Sequence, residues 1–198
     1  MALILASSSP RRQALLTMLG LSYTVRTAGI DETMDPRRGA EAEVARICRA
    51  KADAVLPELE PEDVVIAADT VVCLDGSILG KPKSPEEARA MLTALSGRTH
   101  QVRTGVTVCT KTRALTEVDL TGVTFRPLSE AEIAAYVEGG EPMDKAGAYG
   151  AQGLGSIFVE RLDGDYFNVM GLPLCRLSRM LEQFGIAILG GAGERGTL

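Results

Sequence analysis

The sequence predicts an α/β protein in which a mixed, twisted sheet is flanked by helices. Three observations carry this. Short apolar runs interleave with segments of helical apolar spacing along the chain. Hairpin signals, Asp75-Gly76 foremost, interrupt that alternation, so some neighbouring strands run antiparallel. One run, Val64 to Leu74, is apolar at both parities, as a strand covered on both faces requires.

Ala2 to Ala6 reads as a first strand and Pro10 to Leu19 as a helix. Ser9 suits the N-cap, and Pro10 suits the first helical position, where its missing N–H costs nothing. Leu15, Leu16 and Leu19 supply the apolar stripe. Ser22 to Arg26 is a second short strand, and a polar loop from Asp31-Glu32 runs through DPRRG. Glu41 to Val55 reads as a helix, Val64 to Leu74 as a long strand, and the residues after Asp75-Gly76 as its return through Leu79. Ser84-Pro85-Glu86-Glu87 starts a helix that ends near Leu95. Val102 to Thr110 and Leu115 to Phe125 read as paired strands, and Ser129 to Val137 as a capped helix. After the Gly-rich DKAGAYGAQGLGS come a strand from Ile157 to Arg161, a turn at Asp163-Gly164 and a helix from Pro173 to Phe184. One domain over 1–185 and a flexible tail over 186–198 are expected.

The 198 residues carry a net charge of −5, with a pI near 5.1. This argues against a general binder of nucleic acid or anionic membranes, so any phosphate chemistry must use a local cluster of cations. No apolar run approaches the ~20 residues of a membrane span, and no signal-peptide pattern is present. Cys48, Cys73, Cys109 and Cys175 are widely spaced and read as reduced, mostly buried thiols of a cytoplasmic protein. The single histidine, His100, leaves no His-based metal site and no evident Ser-His-Asp triad, and it reads as a polar residue at a strand start.

Several charges stand where apolar or neutral residues belong. Arg11 and Arg12 open the first helix, although its N-terminus disfavours each cation by roughly 0.3–1 kcal/mol. The same end attracts anions. Either the turn is a solvated basic one, or serines, backbone N–H groups and two guanidinium groups converge on a phosphate. On the second reading, replacing either arginine stabilises the free helix slightly or leaves it unchanged. In VVIAADTVVCL, Asp69 lies within an apolar strand and must be paired, hydrogen-bonded or metal-bound. A two-residue turn at Asp75-Gly76 pairs Leu74 with Ser77 and brings Lys81 of Gly80-Lys81-Pro82 beside Asp69-Thr70. Lys51 falls on the buried stripe marked by Val44, Ile47, Cys48 and Val55, where it either snorkels to water or reaches a site beneath its helix. Glu32 adds a loop carboxylate. Together these residues suit a metal-bound polyphosphate better than any other ligand class. No Walker-type GxxxxGK[ST] is present.

The segments SSSPRR, ARICRAKADAV, AADTVV, LGKP, LSGRTHQVRTGV, DKAGAYGAQGLG and NVMGLPL, in this order, resemble the Maf family from Leu3 to about Phe184. The resemblance implies an inosine-triphosphatase-like fold. It also implies a pyrophosphatase that cuts nucleoside triphosphates between the α and β phosphates, with Mg2+, Mn2+ or Co2+. The stretch from Gly147 to Gly153 looks like that of the dTTP/UTP subgroup. By position, Ser7, Ser9, Arg11 and Arg12 match the phosphate-binding segment, and Lys51, Lys81 and Asp69 the catalytic positions. Glu32 and Asp69 match the metal contacts, and Arg12, Thr70 and Gln152 the positions tied to substrate choice. Arg103 stands where an aromatic is expected. A nucleoside triphosphate is the expected partner, without nucleic acid or membrane, and a homodimer the expected assembly. Two other readings remain: a nucleotide-sensing regulator of cell division that binds without cutting, and a pyrophosphatase for a methylated purine nucleotide.

Overall fold

The computed structural model describes residues 1–189; the tail expected over 186–198 lies outside the described residues from 190 onward. Ile186 and Ile188 pack on the core. The strands are β1 (Leu3–Leu5), β2 (Thr24–Val25), β3 (Val64–Leu74), β4 (Ser77–Leu79), β5 (Thr99–Cys109), β6 (Ala114–Phe125) and β7 (Val159–Asp163). The helices are α1 (Pro10–Met18), α2 (Ala40–Val55), α3 (Pro85–Leu95), α4 (Glu130–Glu138), α5 (Tyr166–Met170) and α6 (Leu174–Glu182). The short helix α5 was not expected from the sequence, and β7 starts two residues later than Ile157. Residues Leu154–Phe158 form a 3-10 turn instead. Among the described residues no helix is long and apolar enough to cross a membrane.

The sheet runs β2-β1-β3-β5-β6-β7, with β4 also on β3. β1 is parallel to β2 and β3, while β3, β5, β6 and β7 follow one another antiparallel. This is the mixed sheet that the interrupted alternation predicts. On one edge, β3 pairs with β1 through Val64–Ile66 and with β4 through Val72–Leu74. Residues 67–71 therefore have no strand partner on that edge, and Asp69 and Thr70 lie in the gap.

Side chains alternate across β3. Even positions such as Ile66, Ala68, Val72 and Leu74 face α1, α3, α4 and α6. Odd positions, with Val65, Ala67, Val71 and Cys73, face α2. Both faces are covered, as the two-parity apolar run requires. Asp69 and Thr70 thus start from opposite faces of one strand.

Gly105 explains how closely α2 lies on the sheet. It stands opposite Asp69 in the β3–β5 ladder. A Cβ there would sit 2.7 Å from Val44 Cγ2, 2.8 Å from the Val44 carbonyl oxygen and 3.0 Å from Cys48 Sγ. Only a residue without a side chain lets the helix approach to that depth.

Cys48, Cys73 and Cys109 are free and buried, and Cys175 is free and exposed. His100 is buried. Its Nε2 lies 2.8 Å from the Tyr149 hydroxyl, and it packs edge-on against Phe125. Burial pulls its pKa down to about 4, so it is a neutral core residue at neutral pH.

Gly105→Ala is expected to destabilise the protein by about 1–3 kcal/mol, because the added methyl must push α2 off the sheet. Urea unfolding of the variant measures this. An unchanged midpoint would mean that the helix gives way at no cost.

Candidate active site

The gap beside Asp69 opens into a cavity of about 1040 Å³. Ser7 to Arg12, Glu32, Lys51, Asp69, Thr70, Lys81 and Gln152 all line it, so the residues matched to site positions in the sequence border one cavity. The cations Arg11, Arg12, Lys51, Lys81 and Lys145 outnumber the carboxylates Glu32, Asp69 and Asp144. A protein with a net charge of −5 thus presents a locally positive cleft, as a polyanion requires. Val72, Val102, Tyr149 and Val169 give the cavity an apolar stretch of wall.

Lys51 reaches the site beneath its helix. Its Nζ donates to Asp69 Oδ1 at 2.7 Å and to Glu32 Oε2 at 2.9 Å. The stem descends the buried stripe of α2 and the head stays between two carboxylates. Glu32 is exposed, and its loop is held by a feature not singled out in the sequence. Glu43, buried on α2, accepts from the Asp35 N–H at 3.0 Å and from Arg46 Nη2 at 2.8 Å. Arg46 Nη2 also donates to the Thr33 carbonyl at 2.8 Å. The Arg46 hydrogen bonds, against the opposing effect of burial, hold Glu43 below the usual carboxylate range. The carboxylates at 32 and 43 therefore do different work: one faces the cavity and the other ties the loop down.

The two arginines at the start of α1 diverge. Arg12 turns inward and is buried. Its Nε donates to the Gly171 carbonyl at 2.8 Å, Nη1 to Ser7 Oγ at 3.1 Å and Nη2 to Thr70 Oγ1 at 3.1 Å. Thr104 Oγ1 donates to the Asn168 carbonyl at 2.9 Å and lies 2.9 Å from Thr70 Oγ1. Thr104 has one proton and spends it on Asn168, so Thr70 donates to Thr104. This chain gives NVMGLPL its place: Asn168 and Gly171 close α5 onto the site. Burial lowers the Arg12 guanidinium from its ordinary value, and the charge of Asp69 opposes that. Arg11 turns outward, 3.5 Å from Asp144. Asp144 and Lys145, which were not singled out in the sequence, pair at 2.6 Å on the cavity wall.

Three sequence expectations need correction. Ser9 occupies the N-cap position of α1, but its side chain makes no capping hydrogen bond. Lys81 does not pair across from Asp69-Thr70. Leu74 does face Ser77, yet the ladder ends at Val72 and Leu79. Pro82 holds the residue before it in extended conformation, and the Gly80 carbonyl is taken by the Gly147 N–H at 3.0 Å. Lys81 lines the cavity as an exposed side chain. Third, Arg12 is built into the fold, so its loss cannot leave α1 undisturbed.

Of the three cavity carboxylates, Asp144 is paired with Arg11 and Lys145, and Glu32 and Asp69, which share Lys51, are the two that could hold a divalent cation. Among the described residues no group of three or more His, Cys, Asp or Glu side chains forms a metal cage. The Glu32 and Asp69 carboxylates converge on the Lys51 ammonium, so a cation held by them shares its ligands with that lysine and takes the rest from phosphate oxygens and water.

A family model described as Maf-like protein matches residues 2–184. The dTTP/UTP pyrophosphatase of Bacillus pumilus is 49% identical over 184 residues, 93% of this chain and 97% of the relative. The dTTP/UTP pyrophosphatase of Bacillus velezensis is 50% identical over the same fractions. Among solved structures, the Ham1 protein of Staphylococcus aureus matches 66% of this chain and 73% of that one at 18% identity. Its TM-score is 0.44.

Arg12→Ala is expected to cost about 2–4 kcal/mol, since it strands three acceptors and leaves a cavity. Arg11→Ala removes an exposed pair and should stay within about 0.5 kcal/mol of the parent. Parallel thermal and urea melts of the two variants test the contrast, and equal losses would remove the structural role of Arg12.

Proposed function

The chain belongs to the Maf family, and we propose that it hydrolyses dTTP and UTP to the nucleoside monophosphate and pyrophosphate. One observation carries the chemistry: a carboxylate within a buried strand, bonded to Lys51, at the wall of a cleft dominated by cations. A polyphosphate supplies the negative charge such a cleft selects. A pure binding protein has no need of a carboxylate beside that charge.

Water attacks the α-phosphorus, a new P–O bond forms, and the bond to the bridging oxygen of the β-phosphate breaks. Asp69 orients that water and accepts its proton. Lys51 holds Asp69 in place and, with Lys81 and Arg11, meets charge that builds on the departing pyrophosphate. The backbone of the serine loop and the first turn of α1 offer N–H groups to the phosphates. Glu32 and Asp69 are the side chains that would hold Mg2+, Mn2+ or Co2+. When bound, the cation neutralises phosphate charge and lowers the pKa of water. Arg12 and Thr70 act together as one hydrogen-bonded unit beneath the substrate. Gln152, an exposed residue of the cavity wall, has an amide whose acceptor and donor match the O4 and N3–H edge of uracil or thymine.

A panel of nucleoside triphosphates with Mg2+ or Mn2+, scored for monophosphate and pyrophosphate, tests the proposal. dTTP and UTP should be cleaved well, CTP at an intermediate rate, and dATP and dGTP poorly. Binding without turnover would favour the regulator, and a preference for a methylated purine would overturn the base assignment.

Asp69→Asn should lower kcat by at least about 100-fold. Lys51 keeps Glu32 at 2.9 Å in that variant, so the melting temperature should change little. A retained rate above a tenth of the parent would remove Asp69 from the chemistry.

Gln152→Ala should narrow the UTP-to-GTP gap in kcat/KM by roughly 1–3 kcal/mol, as the base edge loses its partner. An unchanged ratio would place base recognition elsewhere.

A further inference from the structure

The catalytic reading leaves Glu141 unused, yet the segment that carries Gln152 is wrapped around it. Glu141 Oε1 accepts from the Tyr136 hydroxyl at 2.9 Å and from the Gly155 N–H at 3.3 Å. Its Oε2 accepts from the Leu154 N–H at 2.9 Å. The Tyr136 oxygen in turn accepts from the Gly150 N–H at 3.1 Å. Tyr136 is buried on α4, edge-on to Phe158 with ring centroids 4.9 Å apart. The turn over 150–155 is therefore tied at its start through Tyr136 and at its end through Glu141.

The glycines of this turn show how tightly it is moulded. A Cβ at Gly153 would collide with the Glu141 carboxylate, and one at Gly155 would lie 2.7 Å from the Tyr136 hydroxyl. The turn has few bonds of its own: Gly153 N–H reaches the Gly150 carbonyl at only 3.4 Å. A glycine-rich segment without an external template has many conformations open to it. Burial pushes the Glu141 carboxyl up, but the hydrogen bonds from Leu154, Tyr136 and Gly155 outweigh it and hold the group below the usual carboxylate range. Gln152 lies between the two tethered ends.

We propose that Glu141 and Tyr136 are positioning residues for base selection: their hydrogen-bonded pair sets the course of residues 150–155 and hence where Gln152 stands over the cavity. This rests on the reading of Gln152 as the residue that meets the base. Glu141 touches no substrate; it acts through the turn. A carboxylate suits the task because it accepts at both oxygens, whereas an amide of the same shape turns an NH2 towards one of the backbone donors.

The test is kcat/KM for UTP and GTP in the full-length protein bearing Glu141→Gln or Tyr136→Phe, each with Gln152 intact and with Gln152→Ala. Glu141→Gln should lower the UTP-to-GTP ratio by about tenfold, chiefly through a higher KM for UTP. Tyr136→Phe removes one hydroxyl and should shift the ratio the same way by less. Neither variant should change it by more than about twofold once Gln152 is alanine, because the group being positioned is gone. Should Glu141→Gln not fold, by melting curve, Tyr136→Phe carries the decision. If Gln152→Ala narrows the ratio but the positioning variants do not, or if they impair UTP and GTP alike, the proposal falls and the reading of Gln152 stands. If Gln152→Ala itself leaves the ratio unchanged, both fall.

Discussion

A carboxylate at the centre of a strand covered on both faces has to be neutralised from within the protein, and here Lys51 does this. Much of the architecture follows from bringing that ammonium to Asp69. The helix that carries it must lie close to the sheet, and Gly105, directly across the ladder from Asp69, provides the space. The second partner of Lys51, Glu32, must be held on a loop, and the buried Glu43–Arg46 pair on the same helix holds it. One helix thus supplies the counter-charge and secures its other partner.

The site also depends on a break in the sheet. Successive residues of a strand face opposite ways, so Asp69 and Thr70 should not share a cavity. They do because β1 ends before them and β4 begins after them, leaving that stretch of the β3 edge open. The carboxylate on the α2 face and the threonine on the α1 face then both border one cleft.

The pair of arginines at the start of α1 answers to two demands. Each is disfavoured there by the helix dipole. Arg12 offsets this with three hydrogen bonds, two of them buried, that join the serine loop, β3 and the end of α5. Arg11 stays at the cleft wall against Asp144, available to a phosphate. Asp144, the partner of Arg11, lies on the same 3-10 turn as Glu141, whose carboxylate accepts from the backbone of the glycine-rich turn that carries Gln152.

Local patterns in the sequence determined the strands and the helices other than α5, the start of α3 at Ser84, the pairing of Leu74 with Ser77 across Asp75-Gly76 and the anomaly of Asp69. Each of these depends on neighbours a few residues apart, where periodicity and turn chemistry operate. The stripe of α2 placed Lys51 on the inward side but left open whether it would snorkel or reach beneath, because that depends on what lies below the helix. The family motifs brought in Gln152 as a name without a geometry, whereas the hairpin reading set Lys81 across from Asp69-Thr70, beyond where the ladder ends. Tertiary structure decided the rest. Arg12 meets Gly171 across 159 residues of sequence, and no local signal could tell that it is buried while Arg11 is not. The Gly147 N–H takes the Gly80 carbonyl and frees Lys81 from the ladder. Glu43 and Glu141 look like ordinary surface glutamates in the chain. Only the fold supplies the backbone N–H groups that turn them into anchors, because a hydrogen bond between distant segments exists only once the packing has brought its two ends together.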